Sequence, residues 1–164
     1  PNLLLPTEMA EQRLNEAWGR RSADTPLKSP SEALILASII EKETARESDR
    51  GLVAGVFVNR LRIGMPLQTD PTVIYGLGDQ FDGNLRRRDL QSDTPYNTYT
   101  RAGLPPTPIA MPGKASLQAA VMPSPTRALY FVARGDGSSE FSESLAAHNR
   151  AVDKFQRSQN DYQR

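Results

Sequence analysis

The chain has 164 residues, 38% hydrophobic and 24% charged, enough for one compact domain that buries roughly 70% of its unfolded-chain surface. Twenty basic against 19 acidic residues leave a formal net charge of +1, too balanced for a nucleic-acid footprint. With no cysteine and a single histidine, His148, disulfide frameworks and thiolate or multi-histidine metal sites are excluded, so no metal or other cofactor is expected and the chemistry must rest on carboxylates, hydroxyls and amides.

Residues 1–28 carry one expected helix, Thr7 to Trp18, whose Met9, Leu14, Ala17 and Trp18 form an imperfect apolar stripe before the polar linker Arg20 to Pro26. They are read as the edge of an upstream region, with the main domain at 29–164. The chain opens at Pro1 with no signal peptide and has no apolar stretch near the roughly 18 residues that span a bilayer, so membrane attachment is expected only through a segment outside it. The next helix has the clearest start: Ser29 as N-cap, Pro30 at the first helical position and Glu32 three residues after the cap. Its body, Ala33 to Ile40, is apolar nearly all round, as in a helix enclosed by other elements.

A second helix is expected from Ser48 to about Gly64, burying Leu52, Val53, Val56, Phe57 and Leu61. Arg60 falls on that buried stripe, where an unpaired charge is costly, so it is expected to find a carboxylate such as Glu41 or Glu47. Asp70-Pro71 reads as cap and first turn of a short helix ended by Gly76 and Gly78. From Gly78 to Gly113 the chain is dense in Gly, Pro, Asn, Thr and Asp and reads as a long ordered loop, the kind that carries binding groups. Its basic run, Arg86-Arg87-Arg88, reads as a solvated face closed by Asp89. A short helix is expected at Ala115 to Val121, then a hairpin of Leu129–Ala133 and Glu140–Ser142 around Gly135-Asp136-Gly137, and a last helix from Ser144 to Gln159.

Glu41 and Glu43 stand at the C-terminal end of the apolar helix. At 3.6 residues per turn Glu43 extends the stripe Leu36, Ile39, Ile40, while Glu41 shares a different face with Leu34 and Ala37. One of the two can face a given cleft. A carboxyl ending an apolar stripe is partly desolvated, which raises its pKa toward the range of a general acid; the catalytic glutamate of lysozyme is the known case. The bland alternative, a solvated helix end with Glu43 paired to Arg46, is equally compatible with spacing alone.

Glu43-Thr44-Ala45 resembles the Glu-Ser-Ala motif of lysozyme-like lytic transglycosylases. Gly64-Met65-Pro66-Leu67-Gln68 looks like a lengthened form of their Gly-Leu-Met-Gln motif, and Tyr96-Asn97 like the end of Ala-Tyr-Asn, with Pro95 a departure. Ile40 to Ala45, Val56 to Leu61, Leu67 to Gly76, Tyr96 to Tyr99, Gly103 to Pro106, Pro108-Ile109, Leu129 to Val132 and His148-Asn149 together resemble the MltG (YceG-like) family of endolytic murein transglycosylases over most of residues 29–157.

That resemblance implies an α+β, mainly helical, lysozyme-like domain with a small hairpin and long cleft loops. It implies Glu43 as acid/base and peptidoglycan glycan strands as substrate, cut between N-acetylmuramic acid and N-acetylglucosamine to leave an anhydro end without water. Peptidoglycan synthases are the partners it allows, and the periplasmic face of the inner membrane is the address. Gln68, Thr69, Asp70, Tyr75, Tyr96, Asn97 and Tyr99 are the expected substrate-binding residues, within a cleft lined by 64–75 and 94–109. Tyr96 is the strongest aromatic, its hydroxyl expected near the glutamate, and Asn97 is expected to brace the loop. Capping of the following helix is the plain alternative for Asp70. His148 is expected to be a packing residue. Two rival readings remain: a lysozyme-type hydrolase in which Asp70 helps water attack, and a non-catalytic peptidoglycan-binding module.

Overall fold

The computed structural model describes residues 6–44 and 46–162, with side chains over 7–44 and 46–156; Ala45 lies outside the described residues. Among the described residues, helices α1 (Pro6–Gly19), α2 (Pro30–Glu43), α3 (Arg50–Ile63), α4 (Asp70–Leu77), α5 (Arg87–Gln91), α6 (Lys114–Val121) and α7 (Leu145–Tyr162) accompany one antiparallel hairpin, β1 (Tyr130–Ala133) with β2 (Ser139–Ser142), which packs on α7 and α3. The fold is α+β and mainly helical, as expected.

Helix α2 is the axis of the core. Ser29 Oγ accepts from the Glu32 amide at 3.2 Å, and Glu32 returns a bond to the Lys28 amide at 2.9 Å, a cap worth about 1 kcal/mol. Leu36, Ile39 and Ile40 are fully enclosed because α2 packs chiefly on α6 and also touches α1, α3 and α4. Ala17 and Leu27 join the same buried cluster, so the N-terminal helix packs on this core. Thr44 ends α2: its amide and hydroxyl both bond to the Ile40 carbonyl, at 3.0 and 2.8 Å.

Helix α3 begins later than expected, after a 3-10 turn at Glu47–Asp49, and closes on Gly64, whose φ of +72° is a left-handed conformation natural to glycine. Its Gly51 and Gly55 lie so close to Ser124 and Thr126 that a Cβ on either would clash. Asn59 fastens the same segment by donating to the Thr126 and Ala128 carbonyls, both at 2.9 Å. This delivers the chain into β1 in fixed register, Phe131 opposite Phe141, with Phe57 packed edge-on against Phe131 at 5.9 Å.

Two expectations need correction. The loop from Gly78 to Gly113 contains α5, a single turn too short to leave a periodic signature; Arg86 leads into it, its amide bonded to Asp89 Oδ2 at 2.8 Å and its guanidinium paired with Asp82. The N-cap position of α4 is Thr69, and Asp70 is already within the helix.

Candidate active site

Helix phase separates the two acids. Glu41 turns toward α6, where its Oε1 accepts from the Gly113 amide at 2.6 Å and from Ser116 Oγ at 3.4 Å. A carboxylate at a helix N-terminus satisfies orphan amides and complements the dipole, so Glu41 has a structural role. Glu43 turns the other way, into a cleft of about 470 Å³ that it lines together with Arg60, Gln68, Asp70, Tyr99 and His148.

The surroundings of Glu43 are sparse. Thr69 donates its hydroxyl to Glu43 Oε1 at 2.7 Å. Burial is the dominant influence and raises the pKa of Glu43; the Thr69 bond lowers it, and the neighbouring Asp70 charge raises it again. The net direction is upward. Arg46 does not serve as its partner, because its guanidinium is bonded to the Asp136 carbonyl at 3.0 Å. Thr69 itself is held rigidly: its amide donates to Thr98 Oγ1 at 3.0 Å, and its carbonyl accepts from Thr72 Oγ1 at 2.8 Å.

Gln68 and Asp70 flank Thr69 and are exposed to the cleft. Gln68 adopts a φ of +53°, uncommon for a residue with a Cβ and typical of sites where surrounding structure overrides local preference. Asp70 Oδ1 accepts from the Tyr99 hydroxyl at 2.5 Å. Burial first, and the bond to Asp70 second, push the Tyr99 phenol above its ordinary range, which keeps it a donor.

The remaining expected residues sit apart from the acid. Asn97 is 1% exposed: its amide donates to the Leu90 and Ser92 carbonyls at 3.0 and 2.8 Å, and its Oδ1 accepts from the Tyr99 and Thr100 amides. It braces the loop and has no free edge for a ligand. Tyr96 directs its hydroxyl to Thr107 Oγ1 at 2.8 Å and its ring to Tyr75 at 4.9 Å. Of the three expected tyrosines, only Tyr99 lines the Glu43 cleft, with Tyr75 and Tyr96 forming a separate aromatic pair.

The far wall of the cleft was missed. It comes from β1 and α7, through Tyr130, Phe131, Leu145, His148 and Asn149, and not from the stretch 100–109. His148 does pack, stacked on Tyr130 at 5.0 Å, but it does so as part of the cleft. Arg60 has no carboxylate partner among the described residues: it donates to the carbonyls of Leu129, Pro66 and Leu67 at 2.8, 3.1 and 2.9 Å. The signal was present in its place on a buried stripe, but the partners lie in segments that sequence spacing does not bring near. Among the described residues no cluster of acids or histidine offers a metal site.

Residues 5–154 match the YceG-like family. The chain belongs to that family. It is 47% identical over 128 residues to a Bacillus subtilis (strain 168) protein named endolytic murein transglycosylase, a match covering 78% of this chain and 35% of the relative. A Streptococcus pneumoniae (serotype 2, strain D39) protein of the same name is 35% identical over 127 residues, covering 74% of this chain and 23% of the relative. A crystal structure of a YceG-like protein from Listeria monocytogenes superposes with a TM-score of 0.70 at 39% identity, over 87% of this chain and 42% of that one. The chain thus spans about a third of the length of the Bacillus relative.

Proposed function

We propose that this YceG-like domain is an endolytic peptidoglycan lytic transglycosylase that cuts the glycan backbone without water, with Glu43 as its acid/base. The observation that carries the reading is one desolvated carboxyl at the cleft, raised in pKa and oriented by one hydroxyl, while its neighbour Glu41 is committed elsewhere. The names of its relatives agree in direction.

In this mechanism the protonated Glu43 gives its proton to the glycosidic oxygen as the bond to the muramic C1 breaks. The resulting carboxylate takes the proton from that sugar's own hydroxymethyl group, whose oxygen bonds to C1 and closes the anhydro ring. Glu43 ends protonated, so one carboxyl serves both steps. Thr69 holds the acid in its rotamer, and Tyr99 holds Asp70 beside it. Gln68 and Asp70 present the polar edge to sugar hydroxyls and acetamido groups. The corresponding address is the periplasmic face of the inner membrane, through a segment outside this chain.

The presence of Asp70 in the same cleft favours one rival, a hydrolase that uses two carboxylates, about 5 Å apart for retention or about 6.5–9.5 Å for inversion. Digestion of purified glycan strands in heavy-oxygen water separates the two. Transglycosylase products are one water lighter than hydrolytic ones and carry no solvent oxygen; reducing ends labelled by the solvent would replace this reading with the hydrolytic one.

A further inference from the structure

Arg60 is an anomaly for a structural arginine. It is 7% exposed, and a guanidinium removed from water is ordinarily compensated by a carboxylate. Here the compensation is three main-chain carbonyls on Nε and Nη1, with Gln68 Oε1 at the limit of contact at 3.5 Å. Carbonyl dipoles orient the group but leave its unit charge unneutralised. Nη2 has no acceptor among the described residues and is not among their sealed, unpaired nitrogens, and Arg60 itself lines the cleft.

The neighbours of Arg60 on this wall do not cancel its charge. The guanidinium carbon lies 5.2 Å from the Tyr130 ring centre, and His148 stacks on the same ring. His148 Nδ1 is buried without a hydrogen-bond partner. Burial, and then the Arg60 charge, lower the pKa of His148, which favours its neutral form. Asn149 adds an exposed amide to the same wall. A fixed cation with a free N–H, beside neutral polar groups and facing Glu43 and Asp70 across one cleft, is a site for an anionic substituent of the substrate.

Resting on the transglycosylase reading, we infer that Arg60, through Nη2, binds a carboxylate carried on the lactyl arm of the muramic acid and so fixes which sugar sits over Glu43. N-acetylglucosamine bears no such group, so the contact would set the register of the strand. The carboxylate has two sources, the lactyl acid itself on a strand stripped of peptide, or an acid of the attached peptide.

The test is binding of defined glycan strands to the Glu43→Gln variant, which retains Arg60 and does not turn over. Four strands of equal length are compared: stripped muramyl strands, the same strands with the lactyl carboxyl converted to a neutral amide, peptide-bearing strands, and N-acetylglucosamine oligomers. At least one acidic muramyl strand is expected to bind about tenfold more tightly than its neutral counterparts, the lower range of a charge-assisted hydrogen bond, with the advantage shrinking as salt rises. Preference for the stripped strand alone identifies the lactyl acid as the source, and preference for the peptide-bearing strand alone identifies the peptide. Adding Arg60→Gln should abolish the preference for acidic over neutralised strands. Because that variant also loses carbonyl contacts, the neutralised strand provides the same comparison with Arg60 intact. Equal affinity of the neutralised strand and of both acidic strands would overturn the inference, whether or not the unmodified enzyme cleaves; absence of cleavage by that enzyme would overturn the transglycosylase reading instead.

Discussion

The two faces at the end of α2 carry the same functional group and put it to different uses. On the α6 side, Glu41 is fixed by a backbone amide and a serine hydroxyl. On the cleft side, Glu43 has one hydroxyl partner, a nearby like charge and a buried setting. Burial with few donors favours the protonated acid at Glu43. Two residues of sequence separation, about 200° around the helix, are enough to divide a structural acid from a chemical one.

The largest expected break in this comparison is Glu43→Gln. It should reduce transglycosylation about a hundred- to ten-thousand-fold, the usual contribution of a positioned general acid or base, while circular dichroism reports an unchanged fold. Glu41→Gln should do the reverse, costing about 1 kcal/mol and lowering Tm by roughly 2–4 °C with most turnover retained. Loss of turnover in both variants to the same degree would erase the distinction.

A finer contrast lies in the pH profile. The acid must be protonated for the first step, so activity should fall as pH rises through the Glu43 pKa. Thr69→Val removes the bond that lowers that pKa, and the alkaline limb should move to higher pH; Asp70→Asn removes a charge that raises it, and the limb should move to lower pH. Movement of both limbs in the same direction would contradict this electrostatic account.

The smallest effect is on stability. A carboxyl whose folded pKa is raised binds its proton more tightly when folded. Its contribution is therefore fully present below the ordinary glutamate value of 4.5 and is lost as pH rises through the raised folded value. Glu43→Gln should melt above the unmodified protein at neutral pH, with the gap closing under acid. Denaturant titrations at the two pH values would measure it.

Much of α2 was legible in the sequence because its signals are local: Ser29, Pro30 and Glu32 fix the start, and the stripe Leu36, Ile39, Ile40 fixes the phase of Glu43. The hairpin was legible for the same reason, through Gly135-Asp136-Gly137 between two apolar runs. The partners were less so. Thr69 reaches Glu43 across 26 positions, and Arg60 finds Leu129 across 69, contacts that depend on tertiary packing. Tyr99 replaces Tyr96 at the acid because Asn97 accepts from the Tyr99 amide and turns the chain there; tyrosines in an irregular loop have no period from which to read direction. His148-Asn149 belongs to the family resemblance, but a lone histidine on an ordinary helix has no period that points it into a cleft, so the α7 wall reads as packing from sequence.

The most direct test of the central claim is to follow each glutamate side-chain carbon by NMR through a pH titration and to overlay the turnover profile. The account predicts that Glu43 titrates above 4.5, that the alkaline limb of turnover follows the same midpoint, and that both move up together in Thr69→Val. A Glu43 that titrates at its ordinary value, or a limb that follows Glu41, would contradict it.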